Sequence, residues 1–237
     1  TCTVANPPYM GSSGFNPFMS KWVKKIYPDV KSDLFSSFIV RIMDFAGEHG
    51  EIGMMTPFVW MFIGSYEKLR NRLIDDKTLT TLIQLEYSGF AGATVPVCTF
   101  TYHNSHIDGY KGGYVRLADF TGPAVQAPKA LEAIQNPNCG WFYRRDADTF
   151  KQIPGTPIAY WLGDGLLEAY SCGRFIDEVA HPKVGMQTSN NEKFLRLWWE
   201  TDWSPTQNDS NHKWIKYLKG GKYRKWNGNL EYLLFYN

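Results

Sequence analysis

The spacing of apolar residues predicts alternating strands and helices in the first half of the chain. A short apolar run at residues 3–5 stops at two consecutive prolines, which cannot donate hydrogen bonds to a sheet. Three segments with apolar residues at helical spacing follow, at 17–27, 34–45 and 65–74. Ser32 and Asp33 supply an N-cap for the second of these helices, and the glycines at 47 and 50 end it.

Strand-like segments separate and follow these helices. A buried strand is predicted at 51–56, ending at Pro57, and further strands are predicted at 78–87, 94–103 and 113–120. Strand, helix, strand, helix and then a run of strands indicates an α/β fold whose sheet ends in an antiparallel hairpin.

The texture of the sequence changes after residue 121. A predicted helix at 129–135 leads into a segment dense in glycine, proline and tryptophan, with short elements at 157–162, 166–172 and 192–200. We therefore predict two parts, 1–122 and 123–237, the second of mixed α+β structure.

Composition is typical of a soluble globular protein, with 43% hydrophobic and 20% charged residues. A net charge of +2 does not by itself imply a nucleic-acid partner. The cysteines are far apart and form no CxxC pair, which favours free thiols in a reducing compartment over a zinc ribbon: Cys2, Cys98, Cys139 and Cys172. No apolar run approaches the roughly 18 residues of a membrane span, so a cytoplasmic protein without membrane contact is predicted.

The tetrapeptide Asn-Pro-Pro-Tyr at residues 6–9 carries the most specific chemistry in the sequence. An aromatic exocyclic amine is a poor nucleophile, because its lone pair is delocalised into the ring. The Asn6 side-chain oxygen and a backbone carbonyl held by the prolines form a pair of acceptors that polarises such an amine. Tyr9 can stack on a heterocycle flipped out of a duplex. The structural alternative is a turn that ends the strand, and the same tetrapeptide also suits methylation of a side-chain amide.

Several further segments strengthen this interpretation. The sequences VANPPYMGSSG, KSDLFSSFIVRIMDFAGEHGEIGMMTPFVWMF and ATVPVCTFTYHN resemble the later catalytic motifs of adenine-specific DNA N6-methyltransferases. The resemblance is to the large fused restriction–modification and BREX phage-exclusion types, and it continues through GMQTSNNEKFLRLWWE and KGGKYRKWNGNLEYLLFY. It implies the C-terminal half of a Rossmann-like S-adenosylmethionine-dependent methyltransferase sheet, followed by a connector and the start of a target-recognition region.

The resemblance also implies roles for particular residues. Asn6 and the Pro7 carbonyl, with Pro8 rigidifying the turn, would hold the adenine amine, and Tyr9 would stack on the base. Phe100 occupies the position of a second base-stacking aromatic, and Tyr102 on the same strand face is the alternative.

Two residues are implied on the side of the cofactor, S-adenosylmethionine. Phe38 matches a position that packs near its adenosine, and Asp33 lies close by, although an N-cap role also accounts for Asp33.

The sequence departs from the family pattern at its beginning. The glycine-rich cofactor loop of the family precedes Asn-Pro-Pro-Tyr, whereas only five residues precede it here. The glycines of GEHGEIG, at 47–53, are no substitute, because they come before a strand. We therefore expect a segment of a longer protein that is inactive alone, with the cofactor bound by the intact parent.

A basic stretch interleaved with aromatics lies near the C-terminus. It is a candidate DNA-binding surface that contacts phosphates and stacks on bases, and its members are Lys213, Lys216, Lys219, Lys222, Arg224, Lys225 and Trp226. The alternative is a solvated basic face whose aromatic residues anchor it to the core.

Other catalytic and metal patterns are weaker. His103 and His106 form an HxxH pair at a strand end, where a loop without metal is the better interpretation. No Pro-Cys dipeptide and no GxSxG elbow is present, so neither a cytosine-C5 methyltransferase nor a serine hydrolase is indicated.

The predicted function is therefore part of a DNA adenine-N6 methyltransferase in restriction–modification or phage defence. The predicted partners are double-stranded DNA and other defence or restriction subunits. Two alternatives remain, a protein glutamine-amide methyltransferase and a non-catalytic DNA-recognition fragment.

Overall fold

A computed structural model describes residues 1–87, 89, 95–181, 183, 185, 187–202 and 213–236. Thr94, where one strand was predicted to begin, and Met186 of the C-terminal resemblance lie outside the described residues. The chain divides into two compact units, Thr1–Phe175 and Ile176–Asn237.

In the first unit, the described residues form six strands and five α-helices. The strands are β1 (Cys2–Ala5), β2 (Glu51–Pro57), β3 (Thr78–Gln84), β4 (Val97–His103), β5 (Lys111–Arg116) and β6 (Phe142–Asp146). The helices are α1 (Pro17–Ile26), α2 (Leu34–Ala46), α3 (Glu67–Asp75), α4 (Pro123–Gln135) and α5 (Asp164–Cys172).

All six strands form one mixed sheet in the order β1-β2-β4-β3-β5-β6. β1 runs parallel to β2, and β4 lies antiparallel to both β2 and β3. The predicted α/β class and the antiparallel β3–β4 hairpin are confirmed. The sheet continues past residue 122 through β6, and the domain boundary predicted near residue 122 stays a prediction.

The two faces of the sheet are covered by different helices. Ile39 and Met43 of α2 share a hydrophobic core with Met54 of β2 and with Phe100 and Tyr102 of β4. Because side chains alternate along a strand, Met55 points to the opposite face, where it packs in a second cluster that includes residues of α4.

α4 begins at Pro123, six residues earlier than the predicted start at 129, and contains Pro128. The buried Gln126 side chain supports this early start. Its amide nitrogen donates to the carbonyl of Gly122 at 3.2 Å, and its oxygen accepts from the Glu86 amide at 3.1 Å. Proline at the first helical position removes no intrahelical hydrogen bond, so the helix tolerates Pro123.

A buried arginine ties the later part of this unit to α3. The Arg70 side chain, of which 1% is exposed, donates hydrogen bonds only to backbone carbonyls. The acceptors are Trp60 at 2.7 Å, Ile63 at 2.8 Å, Gly155 at 3.1 Å and Thr156 at 2.9 Å. Residues 157–162, predicted as a short element, form no helix or strand, and the Tyr160 hydroxyl nevertheless reaches Gln84 on β3 at 2.8 Å.

In the part of the second unit that the structure describes, three antiparallel strands form a sheet. They are β7 (Leu195–Leu197), β8 (Trp214–Tyr217) and β9 (Tyr232–Phe235), in the order β7-β9-β8, with short helices α6 (Ile176–Val179) and α7 (Asn191–Phe194). Among its described residues, the buried apolar side chains are Leu195, Leu233 and Leu234. Across the described parts of both units, no helix has the length and apolar character needed to cross a membrane.

Candidate active site and nucleic-acid interface

Residues 6–9 leave β1 at the carboxyl edge of the parallel β1–β2 pair. Ala5 pairs with Met54, which brings Asn6 beside Met55. The Tyr9 hydroxyl donates to Asn6 Oδ1 at 2.9 Å and also lies 3.2 Å from the Met55 carbonyl oxygen. Pro7 is buried and Asn6 is exposed. The turn is therefore anchored in the interior through Pro7, while the Asn6 side chain lies at the surface. Partial burial raises the pKa of Tyr9, with a smaller contribution from Cys98, so the hydroxyl keeps its proton and remains a donor.

Asp33 anchors the segment that follows Tyr9. Its Oδ1 accepts hydrogen bonds from the Met10 amide at 3.1 Å and from the Phe35 amide at 3.2 Å. The Leu34 amide in turn donates to the Met10 carbonyl at 2.9 Å. The predicted N-cap of α2 is confirmed, and the same carboxylate fixes the path of the chain after the tetrapeptide.

The negative charge of Asp33 also affects the pKa of the neighbouring Tyr66. Burial, with the Asp33 carboxylate adding to it, raises the pKa of Tyr66 to about 12. The Met10 and Phe35 amides account for the hydrogen bonds described for the Asp33 carboxylate. Its contact with a cofactor stays a prediction.

A groove of about 430 Å³ borders Asn6 on the face of the sheet opposite α2. Its walls include Ala5, Asn6, Gly53, Met55, Thr99, Phe100 and Thr101. The Thr101 hydroxyl lies 2.6 Å from that of Thr81, so the floor of the groove carries paired hydroxyls beside apolar side chains.

Phe100 and Tyr102 point to the other face and lie in the core. Phe100 is 1% exposed, and its ring centroid lies 4.9 Å from that of Trp60. The Tyr102 hydroxyl donates to the Ile39 carbonyl at 3.2 Å, and burial raises its pKa. Phe100 borders the groove at Asn6 although its side chain is only 1% exposed, and Tyr102 is fully buried, so base stacking by either ring stays a prediction. Alternation had indicated that the two share a face, but not that α2 covers it.

Phe38 lines a separate groove between α1 and α2, of about 370 Å³. Its side chain is 38% exposed, and Trp22, Ile26, Leu34 and Arg41 lie around it. This groove shares no lining residue with the groove at Asn6. Sequence reasoning missed Trp22 and Ile26, although their spacing of four residues on a predicted helix places them on one face.

The histidines of the HxxH pair have different partners. His103 Nδ1 lies 2.7 Å from Glu51 Oε1, whereas His106 Nδ1 lies 3.0 Å from the Ile74 carbonyl and its Nε2 3.1 Å from Asp108. Within the ranges that the structure describes, no three or more His, Cys, Asp or Glu side chains are grouped to hold a metal.

The basic stretch falls on β8 and on the loop at 218–231 that joins it to β9. Several of its cations lie over aromatic rings, with Lys219 Nζ 4.7 Å from the Tyr232 centroid and Lys225 Nζ 5.1 Å from the Trp226 centroid. Trp214 and Tyr217 are half-buried, as an anchoring role requires, whereas Tyr223 and Trp226 are exposed.

Residues 2–90 match the family described as Eco57I restriction-modification methylase. The chain is 35% identical over 246 aligned residues to adenine-specific methyltransferase PglX of Lacticaseibacillus casei (strain Zhang), covering 99% of this chain and 20% of PglX. It is 34% identical to adenine-specific methyltransferase BrxX of Escherichia coli O9:H4 (strain HS), covering 98% of this chain and 19% of BrxX. The chain thus spans about a fifth of the length of these curated relatives.

One solved structure with a partial likeness is the methyltransferase subunit of a type I restriction-modification system from Streptococcus thermophilus. It is 12% identical, with a TM-score of 0.49, and the match covers 67% of this chain and 37% of that chain.

Proposed function

We propose that the chain, of which residues 2–90 match the Eco57I restriction-modification methylase family, is part of an adenine-specific DNA methyltransferase. The observation that carries the proposal is the outward-facing Asn6 at the carboxyl edge of β1 and β2. Its amide oxygen accepts a hydrogen bond from the Tyr9 hydroxyl at 2.9 Å, so this oxygen is placed to accept from the N–H group of a base.

Asn6 and the Pro7 carbonyl act on the exocyclic amine of a flipped adenine. Acceptors aimed at the two N–H bonds favour a tetrahedral nitrogen whose lone pair points at the methyl donor. The proton leaves after transfer, so no general base is needed. Pro8 limits the freedom of the turn, and the Tyr9 ring stacks on the base.

The groove between α1 and α2 fits the adenine ring of S-adenosylmethionine. Its walls are aromatic and aliphatic, with Phe38 partly exposed and Trp22 nearby, which are the surfaces that a planar heterocycle prefers. When bound, this cofactor supplies an electrophilic methyl group. Phe38 and Trp22 would hold the ring, while Asp33 acts through the segment that it anchors after Tyr9.

The basic stretch supplies phosphate contacts to double-stranded DNA. Five of its cations lie on exposed side chains: Lys213, Lys216, Lys222, Arg224 and Lys225. Such contacts make affinity depend strongly on salt. We further propose a cytoplasmic role in restriction–modification or phage defence, together with other subunits of such a system.

The test is an Asn6→Ala substitution in a full-length methyltransferase that carries this chain. Methyl transfer to adenine in duplex DNA should fall by about 100-fold or more, while DNA affinity stays unchanged, because the lost acceptor acts in the transition state. Asn136→Ala, an exposed asparagine beyond α4, is the matched control. Methylation of a protein glutamine amide instead of adenine would refute the choice of substrate.

A further inference from the structure

The two most exposed aromatic side chains of the described residues lie three positions apart in one loop. Trp226 is 88% and Tyr223 is 86% exposed, within the loop at 218–231 that connects β8 to β9. A large ring left in water gains from stacking on another flat apolar surface.

The loop folds back on itself and lines an open groove, the concave surface of the loop, with a volume of about 460 Å³. The Asn229 side chain donates to the Lys222 carbonyl at 3.3 Å, and Asn229 has a left-handed backbone with φ of 58°. A Cβ at Gly221 would stand 2.6 Å from Asn229 Oδ1, so a larger residue there would make the Asn229 side chain shift. Tyr217 and Tyr232 pair at the base of the loop and fix both ends on the sheet.

Cations surround the exposed rings without an acidic residue between positions 213 and 230. Lys225 Nζ lies 5.1 Å from the Trp226 centroid, and Lys222 and Arg224 also line the concave surface. A base stacked on Trp226 therefore has its phosphates within the field of several cations. The ligand that combines a flat ring with adjacent negative charge is a nucleotide.

The exposed rings distinguish between paired and unpaired bases. In a continuous duplex the faces of the bases are covered by their neighbours, and only phosphates and groove edges are accessible. A ring such as Trp226 finds a free face only on an unstacked base. Extrusion of a target adenine disrupts stacking and pairing in this way, which links the loop to the proposed reaction.

We propose that the loop at 218–231 binds its DNA where the double strand is locally unpaired, with Trp226 stacked on an unpaired base and Lys222 and Arg224 on the phosphates beside it. The inference rests on the proposed function only in taking DNA as the ligand.

The test measures affinity of the 237-residue chain for a fluorescein-labelled 12-nucleotide DNA, single-stranded and as a duplex, by anisotropy at several salt concentrations. The single strand should bind more tightly. Trp226→Ala should weaken its binding about 5- to 150-fold, and Trp226→Phe should keep most of it. The double variant with Lys222→Gln and Arg224→Gln should lower the slope of log affinity against log salt by about 1.4, or 0.7 for each lost phosphate contact.

Lys193→Gln is the matched control, because Lys193 lies over the Phe194 ring at 5.1 Å in the same unit but outside the loop. Circular dichroism should show the same folded content in every variant. Equal binding by Trp226→Ala, or preference for the perfect duplex, would overturn the proposal, as would capture of apolar peptides in place of DNA.

The two proposals can fail separately. Adenine methylation by a full-length methyltransferase that carries this chain, with DNA binding unaffected by Trp226→Ala, refutes the loop alone. A clear Trp226 effect on binding without adenine methylation refutes the proposed function alone.

Discussion

The Tyr9 hydroxyl donates a hydrogen bond to Asn6 Oδ1 at 2.9 Å, so the acceptor that we assign to the adenine amine is already occupied. Because an amide oxygen has two lone pairs, a base that binds it either shares this oxygen with the Tyr9 hydroxyl or displaces that hydroxyl. Tyr9 thus has two roles in the proposed site, covering the acceptor before the base arrives and offering a ring afterwards.

Tyr9→Phe should therefore strengthen binding of the flipped base. Phenylalanine keeps the stacking surface and removes the competing donor, which is worth about 0.5–1.5 kcal/mol for a neutral hydrogen bond. Fluorescence of 2-aminopurine at the target position, in a full-length methyltransferase that carries this chain, measures the effect. Tyr87→Phe, at an exposed tyrosine after β3, should change nothing. Weaker base binding by Tyr9→Phe would show that the hydroxyl acts in the bound state.

Asp33→Ala should destabilise the first unit by about 1 kcal/mol, as loss of an N-cap usually does, and should also lower methylation because Met10 loses its partner. Asn16→Ala provides the comparison, since Asn16 Oδ1 caps α1 through the Met19 amide at 2.8 Å. It should cost similar stability in urea unfolding and leave methylation intact.

Asp33→Asn separates anchoring from a charge contact. Asparagine keeps an acceptor oxygen, so stability and methylation should survive. A large increase in the KM for S-adenosylmethionine would instead favour a direct contact of the carboxylate with the cofactor.

Arg70→Lys should lower the free energy of unfolding by about 2–4 kcal/mol, because one ammonium group cannot reach the four carbonyls that the guanidinium serves. Burial lowers the pKa of Arg70, but a guanidinium stays charged at neutral pH. Arg72→Lys on the same helix is the control, because Arg72 is exposed and its one described ion pair, with Asp76, is long at 4.0 Å. Urea titration of both variants would detect the difference, and equal midpoints would contradict it.

His106 should make stability depend on pH near neutrality. Partial desolvation lowers its pKa, but hydrogen bonds to Asp108 and to backbone carbonyls, with the charge of Asp148, outweigh this and raise the pKa above its usual value. The protonated form is therefore favoured in the fold. Its stabilisation is complete below the unfolded pKa of about 6.5 and is lost as pH rises through the folded value.

Thermal unfolding of the unsubstituted chain and of the His106→Gln variant, measured from pH 5 to pH 9, tests this. The difference in midpoint should be largest at low pH and shrink as pH increases. A constant difference would mean that His106 contributes packing and not charge.

Local signals in the sequence predicted much of the fold. Ser32 and Asp33 marked the start of α2, and the prolines after Ala5 marked the end of β1, because capping and the lack of a proline N–H act within a few residues. The start of α4 was missed, since it depends on Gln126 reaching back to residues 86 and 122.

The candidate site was predicted unevenly for the same reason. Asn6 and Tyr9 are close in sequence, and their interaction follows from one short turn. The burial of Phe100 depends instead on which face of the sheet α2 covers, and the groove at Phe38 depends on α1 lying beside α2. Periodicity describes the faces of each element but not the partner of each face.

The position of β4 has a consequence for how the chain is made. β4 lies between β2 and β3 in the sheet yet is synthesised after both. Until residue 103 has left the ribosome, the inner edges of β2 and β3 have no native strand to pair with, and such edges attract other chains. The nascent protein is therefore most open to aggregation, and most in need of a chaperone, while the segment from 58 to 103 is being translated.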